Sequence, residues 1–420
     1  AYLLGGAMLW TPRLLPVADE AVRARLPSDA AREAVRVLPI PEGVPLSGPV
    51  HRGMGNPVVP VGTELIADGE VLRRARWPND GFAPIGELLD PGSVPRNRAD
   101  DVPESERETG PERGGVFRFD PARLRRWQGA DQAWAQGYWF HDWADEQLPV
   151  AAIDAAAGTV QLGLPHRYGL KAGASFSVLN LLEELDAPGE FFLDVESRQL
   201  YLWPPQRRID ELLLTTLTEP MLHLEGARDL RLEGFTLRAT RGAAVLVEDC
   251  ERTVLTDLRI EDTGTHGVDV RGGRDNTVSA CALESIGAAG IKASAGDRAS
   301  LTPGGHRVLG NDITFFGRLY RTYQPGVALG GVGQVAAGNR IAHAPHSGII
   351  FGGNEHLIEG NEIYDVLRET GDCGAIYCGR DWAMHGTVIR DNFIHHLRGV
   401  EGRGQNAIYL DDIASGIEVS

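Results

Sequence analysis

A four-residue pattern, a small residue followed by apolar, any and apolar, returns six times in the second half of the chain. It reads "GVDV" at Gly267, "GIKA" at Gly290, "GVAL" at Gly326, "GIIF" at Gly348, "GAIY" at Gly374 and "NAIY" at Asn406, in steps of 23, 36, 22, 26 and 32 residues. A second segment keeps the same rhythm, ending at Leu237, Ile260, Leu283, Ile313, Ile341, Ile363 and Ile394. The last four of these put Asn311, Asn339, Asn361 and Asn392 at one equivalent position. Short β-type runs at a period of about 23 residues, with occasional insertions and an Asn stacked at a turn, are the signature of an all-β right-handed parallel β-helix. One coil cannot bury its inner face alone, so neighbouring coils must stack about 4.8 Å apart.

Strand alternation then assigns faces. Val268 and Val270, Ile291 and Ala293, Ile349 and Phe351, Ala375 and Tyr377, and Ala407 and Tyr409 are expected to point inward. Asp269, Lys292, Ile350, Ile376 and Ile408 are expected outside, where three aligned isoleucines form a patch that needs a cover. The first half has a different texture. From Arg36 to Pro205 the 23-residue period is missing, and alternating runs such as "GTVQLGL", "FFLDV" and "QLYLWP" lie between turn residues. The expected organisation is therefore a short segment, 1–35, continuous with the β-helix, an inserted β-rich domain at 36–205, and coils from 206 to 420. Seven of the eight Trp lie at or before Trp203, either as core of that domain or as sugar-stacking platforms. Residues 92–113, rich in Pro, Arg, Asp and Glu, read as a mobile loop. The closing "GIEVS" matches "HLIEG" and "TVIRD", which are each followed by an N-x-I segment, so either further coils beyond it or a terminus capped by another surface is expected.

Composition supports a turn-rich folded chain, with 52 Gly and 25 Pro among 420 residues. A net charge of −17 argues against nucleic acid or an anionic membrane surface as the main partner, and no apolar run of membrane-spanning length is present. The cysteines, Cys250, Cys281, Cys373 and Cys378, lack zinc-site spacing. They read as buried small residues, with a Cys250–Cys281 disulfide as the alternative.

The chemistry-bearing residues gather at one end of adjacent coils. Asp372 precedes "GAIY", Asp381 follows it, and Asp411 and Asp412 follow the matching "NAIY" strand. Two carboxylic acids flanking a glycosidic bond suffice for hydrolysis, and stacking brings these acids within the required range. Repulsion between close carboxylates helps one of them hold its proton. Arg380 and Trp382 supply a charge clamp and a stacking ring beside them. His346, His356 and Glu355 lie in the two preceding coils, and Arg321, Tyr323 and Arg318 sit in the long 36-residue step, where a groove wall is expected. The histidines are poorly spaced for a metal; no cofactor is called for, with Ca²⁺ on oxygen ligands the one ion left open. The bland reading makes the acids turn-capping aspartates and most of the histidines structural.

The ordered set "ARWPN" (75–79), "LDAPGEFFLD" (185–194), "LYLWPP" (200–205), "GNEHLIEGNEI" (353–363), "GDCGAIYCGRDW" (371–382) and "YLDDIASG" (409–416) resembles bacterial right-handed parallel β-helix repeat proteins. Within that group it looks most like glycoside hydrolase family 141. The resemblance implies a β-helix interrupted by an inserted β-domain, an extracellular or periplasmic location, and fucosidase- or xylanase-like action on plant or algal polysaccharide. Asp372 and Asp412 match the positions of the acid pair, and the cysteines of "GDCGAIYCGRD" depart from the pattern. Two other readings stand beside the hydrolase. One is a polysaccharide lyase using Lys292 and Arg298, although Lys292 is also placed to pair with Asp269 one coil below. The other is a non-catalytic carbohydrate-binding β-helix.

Overall fold

The computed structural model describes residues 1–127, 129–205, 208–399 and 404–420. Two compact units emerge. The first comprises Ala1–Gly6, Val58–Val61 and Leu217–Ser420, and the second Ala7–Pro57 and Gly62–Thr216.

The first unit is a parallel β-helix with three sheets, each taking one strand per coil. One sheet runs from Leu222–Glu225 through Val245–Glu248, Val268–Arg271, Ile291–Asp297, Val327–Gly331, Ile349–Phe351 and Cys373–Cys378 to Gln405–Leu410. A second carries the N-x-I segments and is extended at one edge by Tyr2–Leu4, which pairs in parallel with Thr236–Thr240. The inner faces of all three meet in one core of Val, Ile, Leu and Ala, from Leu237 to Ile389. Burying each such side chain contributes roughly 1.5–3 kcal/mol.

The Asn row is continuous. The Oδ1 atoms of Asn311, Asn339, Asn361 and Asn392 accept the backbone N–H of Cys281, Asn311, Asn339 and Asn361, each at 3.0 Å. Their amide nitrogens donate to carbonyls such as Val308 and Ala336. A second corner row, which the sequence did not announce because its residues differ in type, uses Asn276, His306, Gln334, His356 and Thr387. Each accepts the N–H of the member below, at 2.8–3.2 Å.

The face assignment needs one correction. Ile349 pairs with Ile376 and Ile350 with Tyr377, and Ile376 and Tyr377 then pair with Ile408 and Tyr409. Ile376 and Ile408 therefore continue the inward row, while Tyr377 and Tyr409 follow Ile350 outward, and the expected outer isoleucine patch does not form. The cause lies at the coil corner. A Cβ at Gly326 or Gly348 would stand 2.5–2.6 Å from the Ile of the following N-x-I segment. In the next coil Ala375, not Gly374, takes that place, its carbonyl accepting the Gly348 N–H at 2.9 Å. Following the glycine letter shifts the frame by one residue. Asp269 does lie on the outer side with Lys292, but it is buried.

The second unit is built from mainly antiparallel sheets, with a parallel pair where Glu190–Asp194 meets Arg73–Arg74. The largest orders Trp134–Tyr138, Glu146–Asp154 and Thr159–Leu162 beside Ser175–Leu179, over a core containing Trp127, Trp139, Phe117 and Phe176. Residues 7–35 belong here and not to the β-helix. Leu15–Pro16 pairs with Arg36–Pro39, and the short helices Glu20–Arg25 and Asp29–Ala34, capped by Asp19 and Ser28, set Leu26, Ala31 and Val35 into a core with Phe192 and Tyr201. At the other end Glu211–Thr215 pairs with Leu65–Ala67, which keeps 208–216 in this unit. The 92–113 segment is not bare loop: it holds turns at Pro95–Arg98 and Glu104–Glu106 and ion pairs Arg96–Asp101 and Arg113–Asp90.

Candidate active site

The outward tyrosines organise the site. Tyr409 donates its hydroxyl to Asp372 Oδ1 at 3.1 Å, with the Asp411 carboxylate near enough to act on it electrostatically. Tyr377, one coil below, donates to Asp411 Oδ2 at 2.8 Å. Tyr377 and Tyr409 are paired in register with ring centroids 5.8 Å apart, so the two phenols hold Asp372 and Asp411 beside one another on adjacent coils. The neighbouring Asp411 carboxylate, then burial and the bond to Asp372, push the Tyr409 hydroxyl well up; burial first, then Tyr323 and Asp411, do the same for Tyr377. Both rings stay neutral and serve as donors.

Tyr323 closes the group from the long insertion. Its ring lies 6.1 Å from Tyr377 and 4.8 Å from His346. That insertion is anchored by Tyr320, whose buried hydroxyl donates to Val59 O and accepts Val59 N–H. Arg321, in the same insertion, forms an ion pair with Glu369. His346 is buried. The Thr370 hydroxyl donates to Pro345 O, so His346 Nδ1 donates to Thr370 at 2.9 Å and Nε2 is left as a buried acceptor without a partner among the described residues. Burial lowers this imidazole to about 3.

The other named residues fall elsewhere. Asp411 stacks over Gly379 and Asp412 over Arg380, with the Arg380 N–H donating to Asp412 O. The Asp412 carboxylate faces the Arg380 guanidinium at 3.5 Å and is exposed, outside the tyrosine-linked set. Asp381 is held by Arg298 at 2.7 Å and caps its own turn through the Ala383 N–H, bonds that keep it below the usual carboxylate range. His356 is a member of the corner row, with Nε2 bonded to Gly352 O, and burial lowers it to about 4; it is structural. Glu355 is exposed at the same turn, and Trp382 presents an open ring, 75% exposed. Lys292 pairs with Asp269 at 3.4 Å, and Arg298 is committed to Asp381 and Asn354, so neither is poised as a lyase base.

Sequence reasoning missed Tyr377 and Tyr409 as site residues, although the signal was present: the same Tyr in two coils, each between the paired acids. All four cysteines are buried free thiols, with Cys281 and Cys373 pushed up to about 11 by burial. Among the described residues no His, Cys, Asp or Glu group is arranged to hold a metal ion, and no helix is long and apolar enough to cross a membrane.

No family model and no curated protein matches the chain. A solved structure described as a glycoside hydrolase is similar with a TM-score of 0.67 at 15% identity, over 98% of this chain and 82% of the other. The catalytic domain of a GH87 alpha-1,3-glucanase variant in complex with tetrasaccharides covers 99% of this chain and 96% of its own at 10% identity, with a TM-score of 0.23. At such identities the first likeness is one of fold.

Proposed function

We propose that the chain is a glycoside hydrolase, related to family 141 and exported to the extracellular space or periplasm, that cleaves plant or algal polysaccharide with Asp372 and Asp411 as its acid pair. The observation that carries this reading is a pair of stacked phenols: Tyr409 donates to Asp372, and Tyr377, one coil below with its ring 5.8 Å away, donates to Asp411. Neighbouring rings thus hold one acid from each of two adjacent coils, an arrangement that supports reading them as the carboxylate pair of a glycoside hydrolase. The first solved structure above, itself described as a glycoside hydrolase, supports the same direction.

In this reading one carboxylic acid protonates the leaving oxygen while the other activates water or attacks the anomeric carbon. Asp411 accepts from the Tyr377 phenol and from the Asp412 backbone N–H, which fix its lone pairs and suit it to the base or nucleophile. Asp372, exposed and with a single phenol bond, is placed as the acid. Trp382 offers a stacking face and Arg380, with Asp412, a polar rim for the sugar chain. A fucosidase- or xylanase-like specificity is the substrate reading we favour.

The test is turnover on a panel of plant and algal polysaccharides by wild type, Asp372→Asn and Asp411→Asn, reading new reducing ends and the absorbance of unsaturated sugars. Wild type is expected to release reducing ends without unsaturation, and each variant to lose activity by at least about 100-fold. Unsaturated products, or turnover that survives both substitutions, would sink the proposal.

A further inference from the structure

The second unit contains a cavity of about 320 Å³ that the acid pair does not explain. Its polar lining is His51, Asn56, Glu112, Glu146 and Arg167, with Glu112 at the exposed rim, and its apolar side includes Met54, Pro95 and Leu164. The size is at the lower end of ligand clefts, and the mixture of apolar wall and converging polar groups is what such clefts use.

The Glu146 carboxylate is buried and already satisfied. Oε1 accepts from His51 Nε2 at 2.6 Å and Asn56 Nδ2 at 2.9 Å, and Oε2 accepts the Arg167 backbone N–H at 3.2 Å, with His166 Nε2 3.6 Å away. It therefore acts as a frame for His51, Asn56 and the Arg167 backbone, and presents no open acceptor of its own.

The Arg167 side chain is the reverse case. Its guanidinium makes no hydrogen bond or ion pair among the described residues, and its Nε is buried without a partner. A buried donor left unbonded in a native structure calls for an explanation. Room has been kept for the group: Gly55 lies at φ +85°, and a Cβ there would stand 2.7 Å from Arg167 Nη1. The guanidinium carbon is 5.9 Å from the Tyr168 ring, which packs edge-on against Trp143 at 5.3 Å and His141 at 4.9 Å, themselves stacked 4.4 Å apart. An uncommitted planar fork of donors beside a fixed aromatic cluster recognises an oxyanion in two-point fashion.

We propose that this cavity binds an anionic sugar residue, with Arg167 gripping its carboxylate or sulfate group and Asn56 and His51 facing its hydroxyls. That the ligand is a sugar rests on the reading of the chain as a glycoside hydrolase; that it carries an oxyanion rests on Arg167 alone.

The experiment is calorimetric titration of the full chain as the Asp372→Asn variant, so that no turnover is needed for the result. The probes are oligogalacturonides, the same oligosaccharides after carboxyl reduction, sulfated galacto-oligosaccharides and inorganic sulfate. Either acidic oligosaccharide is expected to bind at least tenfold more tightly than the carboxyl-reduced one, with the difference removed in Arg167→Met and partly kept in Arg167→Lys. The carboxylate and sulfate arms identify which oxyanion is the ligand. Equal binding of charged and reduced oligosaccharides overturns the proposal on the Asp372→Asn protein alone, whether or not Arg167→Met folds. Inorganic sulfate binding as tightly as the sulfated sugar overturns the saccharide assignment, and failure of every polysaccharide to be cleaved by wild type bears on the hydrolase reading only.

Discussion

Two rows of polar side chains climb the same solenoid at the same spacing, and they do opposite things. In the Asn row at one corner, Asn311, Asn339 and Asn361 are buried, and each is bonded to the coils before and after it through its side-chain amide and backbone. The Tyr–Asp row on the outer side of a neighbouring sheet is half open, and its hydroxyls and carboxylates are bonded to each other and not to the backbone ladder. Coil stacking supplies register to both. What separates structure from chemistry is whether the polar atoms are used up by the chain itself.

The sharpest way to break that comparison is to remove one member from each row. Asp411→Asn is expected to lower turnover by about 100-fold or more, with the melting temperature almost unchanged, because the carboxylate supports no backbone group beyond the Asp412 N–H. Asn361→Ala should do the reverse. It strands the Asn339 N–H and the Ala336 carbonyl in a dry interior, a loss of about 2–4 kcal/mol of stability measurable by denaturant unfolding. Equal stability losses for the two substitutions would erase the distinction.

The second corner row gives a pH-dependent version of the same contrast. His356 sits in a row where Gln334 plays the same acceptor part, and burial, with Arg298 nearby, holds the imidazole down at about 4. The unfolded chain, with an ordinary histidine, binds the proton first. Stability is therefore fully present above about pH 6.5 and is lost as pH falls toward 4, by on the order of 2–3 kcal/mol from this residue. His356→Gln keeps the acceptor and is expected to flatten that slope in urea denaturation between pH 7 and 4.

How much of this was legible follows from the same physics. A repeat writes its period into the sequence because every coil faces the same packing problem, so the strand rhythm and the Asn row could be read directly. The Ala375 register could not, since Gly374 offers the familiar letter one residue early and only three-dimensional packing decides between them. The mixed row of Asn276, His306, Gln334, His356 and Thr387 was hidden for a related reason: its members share one function, accepting a backbone N–H, but no single residue type. The second unit was least legible. Its pairings, such as Arg36–Pro39 with Gln199–Leu202, join residues far apart in the chain, and helices of six residues leave little periodic trace.

The smallest effects sharpen which acids belong to the site. Tyr409→Phe removes the hydroxyl that donates to Asp372 without emptying its place against Tyr377, and an activity loss of about 10-fold is expected, the worth of one hydrogen bond to a charged group. Asp412→Asn is expected to change kcat less than about threefold. Its carboxylate is more than half exposed and meets only the exposed Arg380, and such a surface pair contributes under about 1 kcal/mol. Any effect should fall on KM, where a rim contact to the sugar chain would be felt. A loss of kcat by Asp412→Asn as large as that of Asp411→Asn would move the acid pair back to the exposed position and leave the tyrosine-linked carboxylates as scaffold.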